Sequence, residues 1–362
     1  MKIGIVGSGN IGLAMAGKFT LEGNEVIVFS SHGGECEKSI LYYDHDNERK
    51  MQSPYFYETN NIETLLKFSN LIFVTYPAFL FMKLAKEMYP YLKSSHVLVF
   101  VPGFGGVEYS FYKAITNKKV SVFGLERVPA VYRLSDNRTV ANVMGRRSEL
   151  RIGHIGTDSR INEVLIKIST LFSMKVINVN NYLNVTLTKS NACLHPARLY
   201  SLYKKYGNQT MKTNPLFYKE WDDVASSILL AFDDEVSNII SELNEFDLSE
   251  IESLRVHYEG TTPFEITRTI SNIDSLSKIG SPVKRVANGW LFDYESRYFK
   301  ADIPFGLLIY KGIGEILNVK TPIIDHVCDT FIDKIDLFAN GKPQSFGIDT
   351  REKFVSLYSK MV

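Results

Sequence analysis

The stretch that most constrains this chain is its first thirty residues. Lys2-Ile3-Gly4-Ile5-Val6 is a short apolar run, and Gly7-Ser8-Gly9-Asn10-Ile11-Gly12 follows it at once. The helical pattern Leu13-Ala14-Met15-Ala16-Gly17-Lys18-Phe19 comes next. A G-x-G-x-x-G placed between a strand and a helix gives each glycine a task. The first allows the tight turn, the second lets backbone approach a pyrophosphate, and the third lets helix and strand pack closely. The free N–H groups at the helix start then favour phosphate. Gly7, Ser8, Gly9, Asn10, Ile11 and Gly12 are therefore the candidate cofactor-binding residues. The competing reading is a glycine turn kept only for packing.

The second strand, Glu25 to Phe29, ends where such folds distinguish NAD from NADP. An Asp or Glu there bonds the adenosine ribose in NAD binders. This chain has Ser30, Ser31 and His32, followed by Gly33 and Gly34. No carboxylate at that point repels a 2′-phosphate, so NADP(H) is expected over NAD(H), although no arginine adjoins the serines in sequence.

At 362 residues the chain exceeds what one core usually supports, so two domains are expected. Its 41 lysines and arginines balance 40 acidic residues, which leaves no field to attract nucleic acid or an anionic membrane. Cys36, Cys193 and Cys328 are too few and too scattered for a disulfide framework or a zinc site. The first strand starts at Lys2, so no signal sequence is expected. The longest apolar run, Leu71 to Met82, contains Pro77 and is shorter than the roughly 20 residues that span a bilayer. A reducing, cytoplasmic setting follows.

Beyond the second strand, the polar stretch Ser30 to Asn61 carries no clear period. Its segment Tyr43 to Lys50, with His45 among mixed carboxylates, reads as a solvated loop or helix face rather than a metal site. Alternation then resumes. A helical pattern at Ile62 to Phe68 precedes the buried strand Leu71 to Thr75, a crossover helix from about Phe79 to Leu92, and the strand His96 to Val101. Tyr76 and Pro77, and the turn Pro102 to Gly106, follow these strands and are expected beside the cofactor. Further strand-like runs are Lys119 to Leu125, Thr139 to Met144, Leu150 to Ile155 and Lys175 to Val179, with a helix at Ile161 to Phe172. From about Asn181 the pattern is helical, as in Val224 to Leu243, Gly306 to Leu317 and Ile324 to Leu337. The expected architecture is an α/β Rossmann-type doubly wound parallel sheet over 1–180, followed by an all-α domain over 181–362.

Two stretches of the helical half hold residues suited to proton transfer and carboxylate binding. In Thr188 to Ala197, Asn191 and His195 are four apart and share a helix face, while Pro196 biases His195 toward a break. In Ser296 to Gly306, Asp302 precedes a helix expected to start at Pro304, and Arg297 lies five residues earlier. Taken singly, His195 reads as structural, Asp302 as a helix cap and Arg297 as a surface ion-pair partner. Tyr200, Tyr203, Tyr206 and Tyr218 are spaced as core residues, with a homodimer interface as the other possibility.

Taken together with the first domain, these stretches resemble the opine dehydrogenase family, the NAD(P)-dependent octopine/nopaline dehydrogenases. The features carrying the resemblance are the glycine motif, Tyr76-Pro77-Ala78, the Pro102 to Gly106 turn, Glu126 to Arg133, Asn191-x-x-x-His195-Pro196, and Arg297 to Pro304. The resemblance implies a helical domain of the 6-phosphogluconate dehydrogenase C-terminal type. It also implies reductive condensation of an amino acid with a 2-oxo acid at the expense of NAD(P)H. In that scheme His195 is the general acid/base, Asp302 orients it, Arg297 clamps a carboxylate, and Arg133 and Asn191 are substrate contacts. Small-molecule substrates, with no nucleic acid or membrane partner, are implied. The nearest rival is a 2-dehydropantoate or 2-hydroxyacid reductase acting on a plain ketone. Such enzymes use Lys-x-x-x-Asn at this place, whereas here Lys189 is out of register with Asn191-x-x-x-His195. A non-enzymatic NADPH sensor is the third reading.

Overall fold

The computed structural model describes residues 1–155, 160–335 and 341–359. The chain forms two compact units. Met1–Thr186 makes the first, joined by the chain end from Tyr358, and Leu187–Leu357 makes the second.

The first unit's strands are, in chain order, β1 (Lys2–Val6), β2 (Glu25–Phe29), β3 (Cys36–Lys38), β4 (Leu41–Asp44), β5 (Arg49–Gln52), β6 (Phe56–Thr59) and β7 (Leu71–Val74). They continue with β8 (Val97–Phe100), β9 (Ser121–Leu125), β10 (Val131–Leu134), β11 (Val140–Met144), β12 (Glu149–Ile155) and β13 (Lys175–Asn181). Nine of them form one sheet, in the order β13-β12-β9-β8-β7-β1-β2-β6-β3. From β9 to β6 every pairing is parallel. That is the Rossmann arrangement, and its direction of winding reverses at β1, where dinucleotides bind in such sheets. Two flanking pairs, β12 with β9 and β3 with β6, are antiparallel. Strands such as β7 and β8 are buried at every residue, which is why they read as unbroken apolar runs.

The stretch without a clear period turns out to be strand-rich. The strands β4 and β5 form a hairpin that joins β10 and β11 in a second, four-stranded sheet. The helix Asn10–Leu21 packs against this second sheet and against the main one, and so buries eight of its twelve residues. Phe19 meets Phe73 at 5.2 Å and Phe172 at 5.4 Å between ring centroids, on the main-sheet side. Tyr43 to Lys50 is therefore the β4–β5 hairpin and not a loose loop or helix face. Two of its three carboxylates are engaged: Asp44 pairs with Arg146 at 2.9 Å, and Asp46 accepts from the Gly145 and Arg146 N–H groups. Among the described residues no cluster suited to a metal ion occurs.

The second unit is helical, with Asn191–Tyr206, Asp223–Ser241, Pro263–Ser271, Leu308–Leu317 and Pro322–Phe331 as its longer helices. Asp222 caps the second of these by accepting from the Ala225 N–H at 2.9 Å, and Thr262 with Glu265 forms a capping box on the third. The unit carries one hairpin, β14 (Val283–Val286) with β15 (Gly289–Phe292), where the sequence pattern suggested helices alone. The expected helix to Leu337 ends at Phe331 and is followed by a tight turn, Ile332–Lys334; Leu337 itself lies outside the described residues. No described helix is long and apolar enough to cross a membrane.

Candidate functional site

The glycine loop follows β1 as its pattern requires. Gly7 has φ +116°, in the region that favours glycine, and a Cβ on Gly12 would lie 1.8 Å from the Gly7 carbonyl oxygen. Gly9 differs: its φ is −77°, and a Cβ there would meet no protein atom within 4 Å. The helix beginning at Asn10 has neither a side-chain cap nor an acidic residue in its first turn. An open backbone face at an uncapped helix start fits a pyrophosphate. Ile11 is half-buried against the core, and the Asn10 Oδ1 accepts from the Leu134 N–H at 3.1 Å.

The end of β2 lies beside this loop. The Ser8 hydroxyl donates to the Ser30 Oγ at 2.9 Å, while Ser31 is exposed. The Tyr76 ring packs against Gly7, with its hydroxyl buried and unpartnered among the described residues; Pro77 opens the following turn. Two charged residues here escaped the sequence reading. The Arg138 guanidinium, supplied by the β10–β11 hairpin, donates to the Ser8 carbonyl, so an arginine stands at the glycine loop, whose Ser8 side chain bonds Ser30. Glu58, buried on β6 and paired with Lys38 at 2.8 Å, sits against Gly33. Arg133 is exposed on β10, and its guanidinium donates to the adjacent Tyr132 carbonyl at 2.9 Å.

In the second unit, His195 is only 3% exposed and is held at both ring nitrogens. Its Nδ1 lies 2.8 Å from Asp302 Oδ2 and its Nε2 lies 2.8 Å from the Tyr218 hydroxyl. An ionised carboxylate only accepts, so Nδ1 carries the proton, Nε2 is left as acceptor, and the Tyr218 O–H donates to it. Asp302 makes no cap hydrogen bond to the π-helical turn Ile303–Leu307 that follows it, so its carboxylate serves the histidine instead of the helix. The Tyr298 ring approaches the imidazole at 4.2 Å and Phe217 at 5.6 Å, both edge-on. Burial pushes the Tyr218 phenol well above its ordinary range.

The helix carrying His195 runs unbroken from Asn191 to Tyr206, so Pro196 does not break it as its position suggested. Near a helix start the ring removes one donor, that to the Ala192 carbonyl, and the buried packing of the helix outweighs this loss. Asn191, the first helical residue, is half-buried one turn before His195. Arg297 is exposed at the start of the short helix Arg297–Lys300 and engages no carboxylate among the described residues. It is not the surface ion-pair partner that it suggested in isolation. Tyr218, seen in the sequence only as one of several tyrosines, is the residue missed here; nothing local marks it.

The lysine of the rival reading is committed elsewhere. Lys189 and Asp233 lie 2.6 Å apart with about 1% side-chain exposure each, Ser237 accepts from the ammonium at 3.0 Å, and Arg255 shares the aspartate at 2.9 Å. Removing one partner of a buried pair leaves the other charge uncompensated. Lys189→Ala is therefore expected to cost about 3 to 5 kcal/mol of stability, read by denaturant titration. A variant of undiminished stability that had lost only turnover would reverse this assignment.

Fold and site define a two-unit NAD(P)-dependent oxidoreductase whose helical unit holds a buried histidine–aspartate pair. A family model described as NAD/NADP octopine/nopaline dehydrogenase, alpha-helical domain, matches residues 178–332. Over these residues the helical unit matches the octopine/nopaline dehydrogenase family, and the chain as a whole is similar to opine dehydrogenases. Octopine dehydrogenase of Mizuhopecten yessoensis is 23% identical, over 97% of this chain and 97% of the relative. Tauropine dehydrogenase of Arabella iricolor is also 23% identical, over 97% and 99%. A solved octopine dehydrogenase structure with NADH and pyruvate superposes with a TM-score of 0.83 at 22% identity, covering 98% of each chain; this likeness shows the shared fold.

Proposed function

We propose that this chain is an opine dehydrogenase, which condenses the amino group of an amino acid with a 2-oxo acid and reduces the resulting imine. The observation that carries the reading is the His195–Asp302 pair, buried in a unit whose family performs this chemistry. Forming an imine requires deprotonating the amine, protonating the carbonyl oxygen and releasing it as water. One oriented imidazole serves each of these transfers, and Asp302 stabilises its charged form. The unpaired, exposed guanidinium of Arg297 is suited to a substrate carboxylate in the fork geometry of such pairs. Asn191 and Arg133 are the further substrate contacts we infer. The cofactor supplies the hydride, and the loop Gly7 to Gly12 with Tyr76 and Pro77 would hold it.

We further infer a preference for NADPH. Ser8 and Ser30 offer hydroxyls, and Arg138 stands over the same loop. Glu58 is an opposing charge beside Gly33, and Lys38 neutralises it. Arg138→Ala is expected to weaken NADPH binding by about 10- to 100-fold, the value of a charge-assisted hydrogen bond, and to leave NADH binding nearly unchanged. Equal loss for both cofactors in a fluorescence titration would remove the preference. The cysteines are free thiols, in keeping with a cytoplasmic setting.

The test of the activity is oxidation of NADPH, with NADH in parallel, in the presence of pyruvate, glyoxylate or 2-oxoglutarate and a panel of amino acids. Turnover is expected only when an oxo acid and an amine are both present. Turnover with an oxo acid alone would replace this reading with a ketone reductase.

A further inference from the structure

We propose that the first residues of the His195 helix form a carboxylate subsite, in which the Ser190 hydroxyl, the Asn191 side chain and the Asn191 and Ala192 N–H groups hold one end of the substrate. This rests on the opine reading, whose product is a secondary amine bearing two carboxylates. Arg297 is suited to one of them, and the other needs donors of its own.

The helix Asn191–Tyr206 begins without a cap: the Ser190 side chain makes no cap hydrogen bond, and the first turn holds no acidic residue. Cys193 and Leu194 donate their N–H groups to the Ser190 carbonyl, whereas those of Asn191 and Ala192 find no protein acceptor among the described residues. Helix starts satisfy such groups with a side chain, water or a ligand. Ser190 is only 9% exposed, and its Oγ is buried with no hydrogen-bond partner among the described residues. Leaving a buried hydroxyl unmatched is costly, and a carboxylate oxygen would accept from it. Asn191 is half-buried and its amide engages no partner among the described residues, so the helix start is open on that side.

These donors all belong to one turn of backbone. A carboxylate has lone pairs enough for all of them and a charge that the dipole of a 16-residue helix favours; a single water has neither. The adjacent Lys189 ammonium is engaged by Asp233, so the subsite draws on hydrogen bonds and the helix dipole. Its place suits the chemistry. Asn191 lies one turn, about 6 Å along the axis, before His195. The turn Ile303–Leu307, which follows Asp302, packs on the same helix start, where a Cβ on Gly306 would lie 2.8 Å from the Ala192 Cβ.

The experiment compares the parent, Ser190→Ala and Ser190→Asp in steady-state kinetics with an active pair of oxo acid and amino acid. Calorimetric titration of each NADP-loaded protein with iminodiacetate, the smallest secondary-amine dicarboxylate, runs beside it and needs no turnover. Ser190→Ala removes one donor to an ionised group; KM for one substrate is expected to rise about 10-fold and iminodiacetate to bind about 10-fold more weakly, at unchanged Tm. A raised KM for the oxo acid assigns the subsite to its carboxylate, and a raised KM for the amino acid assigns it to that of the amine donor. Ser190→Asp is expected to weaken both readouts by about 100-fold, because its own carboxylate takes the N–H groups and repels the ligand. A serine that only starts the helix would give the opposite order, since aspartate caps as well as serine and alanine does not. Unchanged KM values and iminodiacetate affinity in both variants would overturn the subsite and leave water on these donors. Turnover of an oxo acid without an amine would sink the opine reading instead, and the titration would still judge the subsite.

Discussion

His195→Ala is expected to lower kcat for opine formation by about 10²- to 10⁴-fold while NAD(P)H binds as before, because the substitution removes a proton carrier from the helical unit and leaves the glycine loop untouched. Asp302→Asn should fall nearly as far, for a different reason. The carboxylate fixes the proton on Nδ1 and offsets the charge of the imidazolium, whereas an amide offers neither a negative charge nor a unique tautomer. The imidazole would then be free to carry its proton on Nε2 and to donate toward Tyr218, opposite to its present direction. Circular dichroism and fluorescence titration with NADPH should show both variants folded and able to bind cofactor. Retention of more than a tenth of kcat by His195→Ala would assign the proton transfers elsewhere, since loss of a general acid/base is worth at least about 100-fold.

What could be read from the sequence follows from how locally each feature is encoded. The Rossmann order rests on strands buried on both faces, and unbroken runs such as Leu71 to Val74 announce themselves. The second sheet does not, because β4 and β5 are short, partly exposed and interleaved with charges, so their period-2 signal is lost among polar residues. The place of Asp302 before Pro304 suggested only a helix cap, and its role beside His195 came from the family resemblance; the two lie 107 residues apart and only the fold brings them together. Tyr218 and Arg138 had no local signal at all. Tyr218 belongs to a non-helical segment held by Arg198, and Arg138 is brought to Ser8 by a hairpin 130 residues downstream. Pro196 misled for a reason of scale: the loss of one hydrogen bond near a helix start is small beside the burial of ten residues of this helix.

Gly12→Ala and Gly9→Ala together test whether the loop holds a dinucleotide or only turns the chain, and the two should separate. At Gly12 the new Cβ would sit 1.8 Å from the Gly7 carbonyl oxygen and 3.0 Å from Thr75 Oγ1. The first of these is backbone and cannot rotate away, so loop and helix must part. Overpacking of this kind costs about 1 to 3 kcal/mol, and it also displaces the N–H groups that would face phosphate. The expected result is a lower Tm together with NAD(P)H affinity reduced by about 100-fold, equivalent to about 2.7 kcal/mol. Gly9 has an ordinary φ of −77° and open space beside it, so alanine there strains nothing in the protein. Its methyl group would instead occupy the face on which a pyrophosphate would rest. Gly9→Ala should therefore keep the parent Tm and still bind NAD(P)H at least about 10-fold more weakly, a difference of 1.4 kcal/mol. If Gly9→Ala binds as tightly as the parent, the backbone at that point does not approach the cofactor, and the loop serves packing alone.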